Sequence, residues 1–248
     1  NKDNDGFNLH MCFYGSPGTG KTEVARILSR ILYDAGVLGE AKLVETDAHG
    51  LLGRCVGETA PKTEAKINEA MNGVLFIDEA YRLSGSAESG LATNYGEEAI
   101  SVLLKEMEDH RGQFCVILAG YRDEMRDMLK LNPGFESRIQ FNLEFPDYNR
   151  DELGEISKIF LSKRKYEIKE NAFELLLDIT EYYRNKPNFA NARTVRNIVD
   201  QVIMNQNLRT EDSAGDNVII VDDVEDYLID ENIDLENKKH TDNRIGFV

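Results

Sequence analysis

Met11-Cys12-Phe13-Tyr14-Gly15-Ser16-Pro17-Gly18-Thr19-Gly20-Lys21-Thr22 is the stretch that decides the fold. Its last eight residues fit G-x-x-x-x-G-K-[ST], a loop that binds phosphate. Each residue type follows from that chemistry. Gly15, Gly18 and Gly20, set among Ser16, Pro17 and Thr19, let backbone N–H groups turn inward and approach an anion with no Cβ in the way. A helix starting at Lys21 presents the positive end of its dipole to the same anion. Lys21 is then expected to reach the β- and γ-phosphates of a nucleotide, and the Thr22 hydroxyl to ligate Mg²⁺. An apolar strand precedes the loop and an amphipathic helix follows it, which is the context this motif requires.

The complementary half is Val74-Leu75-Phe76-Ile77-Asp78-Glu79. A buried strand that ends in two acids loses stability unless a cation waits there. Asp78 is expected to hold Mg²⁺ through water, and Glu79 to orient and deprotonate the attacking water. Two acids in series point to hydrolysis rather than nucleotide binding alone.

Working outward, Met11 to Tyr14, Val74 to Ile77 and Cys115-Val116-Ile117-Leu118-Ala119 are short apolar runs with no polar alternation, the mark of buried parallel strands. Leu43 to Thr46 and Ile139 to Phe145 supply two weaker ones. Between them, Val24, Ile27, Leu28 and Ile31 share one helical face, as do Ile100, Leu103, Leu104 and Met107. Strands alternating with helices predict a five-stranded parallel α/β sheet of the P-loop NTPase kind. After Phe145-Pro146-Asp147 the pattern turns helical, with Val195, Ile198, Val199 and Val202 on one face. The expected domains are therefore 1–147, α/β, and 148–248, a smaller helical unit. Ser84 to Gly90 is expected to be a flexible loop. Asp216 to Asn237 holds nine acids and no Lys or Arg, expected to form a solvated helix face and a fraying end.

The 248 residues carry Lys+Arg 29 against Asp+Glu 45, a net charge of −16. That balance disfavours nucleic acid and anionic membrane surfaces as partners. No apolar run approaches the ~18 residues of a membrane span. Cys12, Cys55 and Cys115 are too scattered for a disulfide framework or a zinc site, so a reducing cytoplasmic compartment is expected. The chain begins without Met just before its first apolar run, and is expected to be part of a longer protein.

Taken together, Leu9 to Thr22 and Gly73 to Leu83 resemble an AAA+ ATPase. More narrowly they are similar to the CbbX/CfxQ group, with red-type Rubisco activase and stage V sporulation protein K. Tyr95-Gly96-Glu97-Glu98-Ala99-Ile100, Val116 to Tyr121, Asn132-Pro133-Gly134-Phe135-Glu136-Ser137-Arg138, Phe145 to Tyr148 and Asn191-Ala192-Arg193-Thr194-Val195-Arg196-Asn197 extend the likeness to about Arg209. The resemblance implies a helical AAA+ lid, a ring that is usually a hexamer, and remodelling of a protein partner. It makes Arg138 the arginine finger that completes a neighbour's site, and Arg193, or else Arg196, the second-domain sensor. Tyr121 stands where many relatives place a sensor Asn. Gly53-Arg54-Cys55-Val56-Gly57-Glu58-Thr59 aligns with the pore loop, yet Cys55 replaces the usual aromatic. A cysteine grips a threaded polypeptide with far less area. That departure keeps open a second expectation, a nucleotide-dependent switch that hydrolyses little and threads nothing. Ala190 replaces the relatives' glycine, and their helical segment before the first strand is expected to lie in the part of the protein that this stretch does not include.

Overall fold

The computed structural model describes residues 8–84, 92–210, 217–233 and 235. Contacts divide the chain into two compact units. One comprises Asn1–Ser16 with Gly20–Pro146, the other Pro17–Thr19 with Asp147–Val248.

In chain order the first unit runs β1 Met11–Gly15, α1 Lys21–Asp34, β2 Leu43–Asp47, α2 Ala48–Leu51, α3 Thr59–Ala70, β3 Val74–Asp78, a 3-10 turn Ala80–Ser84, α4 Ala92–Asp109, β4 Cys115–Gly120, α5 Arg122–Leu131, α6 Pro133–Arg138 and β5 Phe141–Phe145. The sheet is parallel throughout, in the order β2-β3-β4-β1-β5. All five strand expectations hold, and so does the fold class. Successive residues point to opposite faces, and both faces are covered. Leu75 and Ile77 of β3 join Val116 and Leu118 of β4 in one core, whereas Val74 and Phe76 join Cys115, Ile117 and Phe13 in another. An unbroken apolar run is what two buried faces demand. Burial pushes the thiols of Cys12 and Cys115 up to about 12, so both act as small hydrophobes.

Helix α1 forms where expected but turns a different face inward. Ala25, Ser29 and Leu32 are buried, while Val24, Ile27 and Ile31 are 36%, 59% and 55% exposed. Small residues let the helix lie close to the sheet, and the bulky stripe points away from it. The loop expectation for Ser84 to Gly90 falls, after Ser84, outside the described residues.

His10, immediately before β1, is fully buried, and its Nδ1 accepts a hydrogen bond from the Val116 N–H at 3.0 Å. Burial, with Arg138 and Arg111 nearby, pushes its imidazole down to about 4, against a smaller opposing effect of a hydrogen bond to the Met107 backbone. The unfolded chain takes up this proton near pH 6.5, the folded chain only near 4. The stabilisation is therefore complete above pH 6.5 and is lost as pH falls through that window, on the order of 3 kcal/mol. Urea midpoints at pH 7 and 4.5 should diverge more for the parent than for His10→Asn, which keeps an acceptor but does not titrate. Equal divergence would remove His10 as the cause.

The second unit continues with α7 Arg150–Lys163, β6 Glu167–Ile168, α8 Glu170–Arg184, α9 Ala192–Arg209, β7 Val218–Ile219 and α10 Val221–Asp230. Asn149 and Glu152 form the reciprocal cap that starts α7. Its core is built from Leu153, Leu176, Val195, Ile198, Val199, Val202 and Val224. The helical expectation holds, with one addition: β6 and β7 pair in parallel. Two-residue strands carry too little periodicity to be seen in the sequence.

The acidic stretch is only partly a solvated face. Asp223 is fully buried, receives the Arg209 guanidinium at 2.6 Å and 3.0 Å, and accepts the Ile220 N–H at 2.8 Å to cap α10. The Arg209 side chain is 36% exposed, so loss of the Asp223 carboxylate removes charge-assisted hydrogen bonds and leaves the guanidinium partly solvated. Asp223→Ala should lower unfolding stability by about 2 kcal/mol in a urea titration. A change below about 0.5 kcal/mol, the range of neutral surface substitutions, would show the pair to be dispensable.

Candidate active site

Because the sheet is parallel, the C-terminal ends of its strands share one edge, where ligands of open α/β sheets sit. Gly15 closes β1 there, Asp78 closes β3, and Asp47 closes β2 opposite Asp78 in register. Gly18 and Gly20 have φ of 73° and 91°, the left-handed region that glycine enters without strain. The turn at Gly20 starts α1. Lys21 is nearly buried, its Nζ donating to the carbonyls of Gly15 at 2.7 Å and Ser16 at 2.9 Å. The ammonium thus lies within the loop that its own helix begins.

Asp78 Oδ1 accepts the Glu79 N–H at 3.0 Å, and Glu79 has φ 48°. A side chain in that region costs on the order of 1 kcal/mol or more, a strain that accumulates at functional sites. The Glu79 carboxylate meets Arg82 Nε at 2.9 Å. Arg82 was not singled out in the sequence; its place three residues after Glu79 was the available signal. The Thr22 hydroxyl and the Asp78 carboxylate are hard oxygen donors. They suit Mg²⁺, which keeps most of its waters and takes few protein ligands.

Arg138 is not brought to this edge. It ends α6, two residues before Gln140, whose N–H donates to the His10 carbonyl at 3.2 Å. His10 precedes Met11, and Met11 pairs with Phe141 at the start of β5. Arg138 therefore stands at the N-terminal edge, a strand's length (about 13 Å) from Gly15.

Inside the second unit, Asn191 is fully buried with φ 48° and organises Pro17–Thr19. Its Nδ2 donates to the Pro17 carbonyl at 3.3 Å and to Asp147 Oδ1 at 2.8 Å, while its Oδ1 accepts the Tyr148 N–H at 2.9 Å. Tyr148 Oη donates to the Thr19 carbonyl at 2.9 Å, and the Ala192 N–H donates to that of Gly18 at 3.1 Å. A Cβ on Gly18 would lie 2.0 Å from the Ala190 carbonyl oxygen, so close backbone approach as well as φ requires glycine. The sequence reading gave Asn191 and Tyr148 no role, for each looked like one residue of a longer matching run. Arg193 is exposed in the first turn of α9, and the guanidinium of Arg196 lies over the Phe160 ring at 5.1 Å. Tyr121 packs beside Tyr81, ring centroids 6.0 Å apart. Cys55 is exposed in a loop held by Glu58, whose carboxylate accepts the N–H groups of Arg54 and Cys55, and the tip presents Val56, 87% exposed.

This arrangement matches known proteins. Residues 11–147 fit the model of the ATPase family associated with various cellular activities, and residues 149–241 fit that of the AAA lid domain. The chain belongs to the AAA ATPase family. Among its relatives, the chromosomal CbxX protein of Cupriavidus necator is 42% identical over 87% of this chain and 66% of its own length. CfxQ of Xanthobacter flavus is 44% identical over 84% of this chain and 64% of its own, and CbbX of Cereibacter sphaeroides 44% over 80% and 63%. This AAA chain thus spans about two thirds of the length of these relatives. Among solved structures, the Holliday junction branch migration motor RuvB of Thermotoga maritima covers 92% of the chain and 63% of its own, with TM-score 0.66 at 22% identity. That likeness concerns the fold alone. No helix among the described residues is long and apolar enough to cross a membrane.

Proposed function

We propose that the chain binds ATP with Mg²⁺, hydrolyses it in a ring of copies, and couples turnover to remodelling a protein partner. In this reading residues 1–147 form the nucleotide-binding domain and residues 148–248 the lid. Gly15, Pro17, Gly18, Thr19, Gly20 and Lys21 hold the phosphates, Thr22 and Asp78 hold Mg²⁺, and Glu79 takes the proton from the attacking water. Mg²⁺ held by Thr22 and Asp78 would offset charge that develops in transfer. Arg193 is the lid sensor, because Arg196 is already engaged with Phe160.

One observation carries the ring: Arg138 lies at the sheet edge opposite Gly15 and Asp78. A guanidinium placed there serves the γ-phosphate of another copy, and the family resemblance makes a hexamer the expected closure. The net charge of −16 argues against a phosphate-backbone partner. Three free cysteines suit a reducing, cytoplasmic setting. The pore-loop tip offers Val56 and Cys55 rather than a ring, which favours acting on a partner without threading it.

The test is ATP turnover per subunit across protein concentrations, with Glu79→Gln as blank. The rate per subunit should climb with concentration, because a neighbour completes each site. A measurable rate that stays flat on dilution would overturn completion in trans. A rate indistinguishable from the blank throughout would overturn hydrolysis.

A further inference from the structure

Arg138 has acceptors in its own chain. Its Nη2 meets Glu108 Oε2 at 3.0 Å, and its Nη1 donates to the Gly134 carbonyl at 3.1 Å and to Ser137 Oγ at 3.5 Å. Its side chain is only 25% exposed. These contacts fold the guanidinium back over α6 and against the last turn of α4. The pose is not a settled one, since its Nε is buried without a hydrogen-bond partner. A charged group that buries an unpaired N–H carries an uncompensated desolvation cost, which moving outward relieves. Glu108 is also shared: its Oε1 meets Arg111 Nη2 at 2.8 Å, so one negative charge is divided between two guanidinium groups, each on its own oxygen.

We propose that Glu108 is a positioning residue for Arg138, holding it in cis so that a neighbour's nucleotide must win the guanidinium from a carboxylate. The inference rests on Arg138 serving a second copy, and deepens that reading by naming what restrains it. A site completed only by the outward conformer has its apparent assembly constant reduced in proportion to the fraction of copies in that conformer. Glu108 and its partner are partly exposed, so the restraint is modest and reversible, as a device that opens in each turnover requires.

The arrangement makes opposite forecasts for two neutralising substitutions. Glu108→Gln releases Arg138 and should shift half-maximal ATP turnover to about three-fold lower protein concentration. Arg111→Gln leaves Glu108 to Arg138 alone and should shift it to higher concentration. A purely structural role for the Glu108–Arg111–Arg138 cluster would move both variants the same way, alongside a lowered melting temperature. The experiment titrates the parent, both variants and Arg138→Ala with ATP and Mg²⁺, with thermal melts of each. Opposite shifts in folded protein support the restraint. Shifts in the same direction, or none, while Arg138→Ala abolishes turnover, overturn it and leave the trans arginine standing. Full turnover by Arg138→Ala overturns the trans arginine and the restraint with it.

Discussion

Replacing Glu79 by Gln should leave ATP binding within about two-fold of the parent and lower turnover by roughly 10²–10⁴-fold, the usual worth of a positioned general base. The substitution is nearly isosteric and removes only the proton-accepting charge. Asp78 keeps its place, because Glu79 holds it through its backbone, the N–H donating to Asp78 Oδ1 at 3.0 Å, and Lys21 is held separately by the carbonyls of Gly15 and Ser16. The left-handed backbone at Glu79, φ 48°, turns the chain sharply where β3 ends and sets this side chain apart from the strand's buried residues. Its carboxylate is oriented by Arg82 Nε at 2.9 Å. Titration with a fluorescent ATP analogue and a steady-state phosphate-release assay separate the two effects. Turnover within a few-fold of the parent would assign the proton to another group. Loss of binding and turnover together would make Glu79 a structural residue of the strand end.

The sequence made the sheet legible because its strands are covered on both faces. Val74 to Ile77 and Cys115 to Ala119 have no polar alternation to confuse with a helix, and both strands appear where the apolar runs lie. The phosphate loop and the two acids were legible because their chemistry demands particular residue types at short spacing. What stayed hidden depends on partners distant in sequence. The outward turn of Ile27 and Ile31 could not be read from α1, since the helix pattern gives a stripe but not the side on which the sheet lies. Asp223 read as one more solvated acid because its partner Arg209 lies fourteen positions earlier, at the end of another helix. Asn191 and Glu58 act by hydrogen-bonding to backbone, which any sequence offers, so nothing in composition or spacing marks them. The resemblance supplied Arg138 and Arg193, and the register of β1 with β5 puts Arg138 at the strand-start edge, away from Gly15.

That geometry leads to the second large effect. Alone, Lys21→Ala and Arg138→Ala should each reduce turnover by about 10³-fold or more, the first by removing the phosphate ligand and the second by removing charge stabilisation in trans. Mixed at equal concentration and allowed to exchange, the two inactive proteins should recover activity. A Lys21→Ala copy keeps its Arg138 and can complete the intact phosphate loop of an Arg138→Ala neighbour. With random arrangement around a ring, about one interface in four pairs a whole loop with a whole arginine in the productive order, so recovery should approach a quarter of the parent rate. Recovery must also vanish on dilution, together with the parent's own activity. A mixture that stays inactive although its components co-sediment would place both residues in one chain's site. The 13 Å strand between them would then have to be bypassed by a large movement of α6. A mixture that recovers links the Gly15 edge of one copy to the His10 edge of the next, which is the head-to-tail contact that closes a ring.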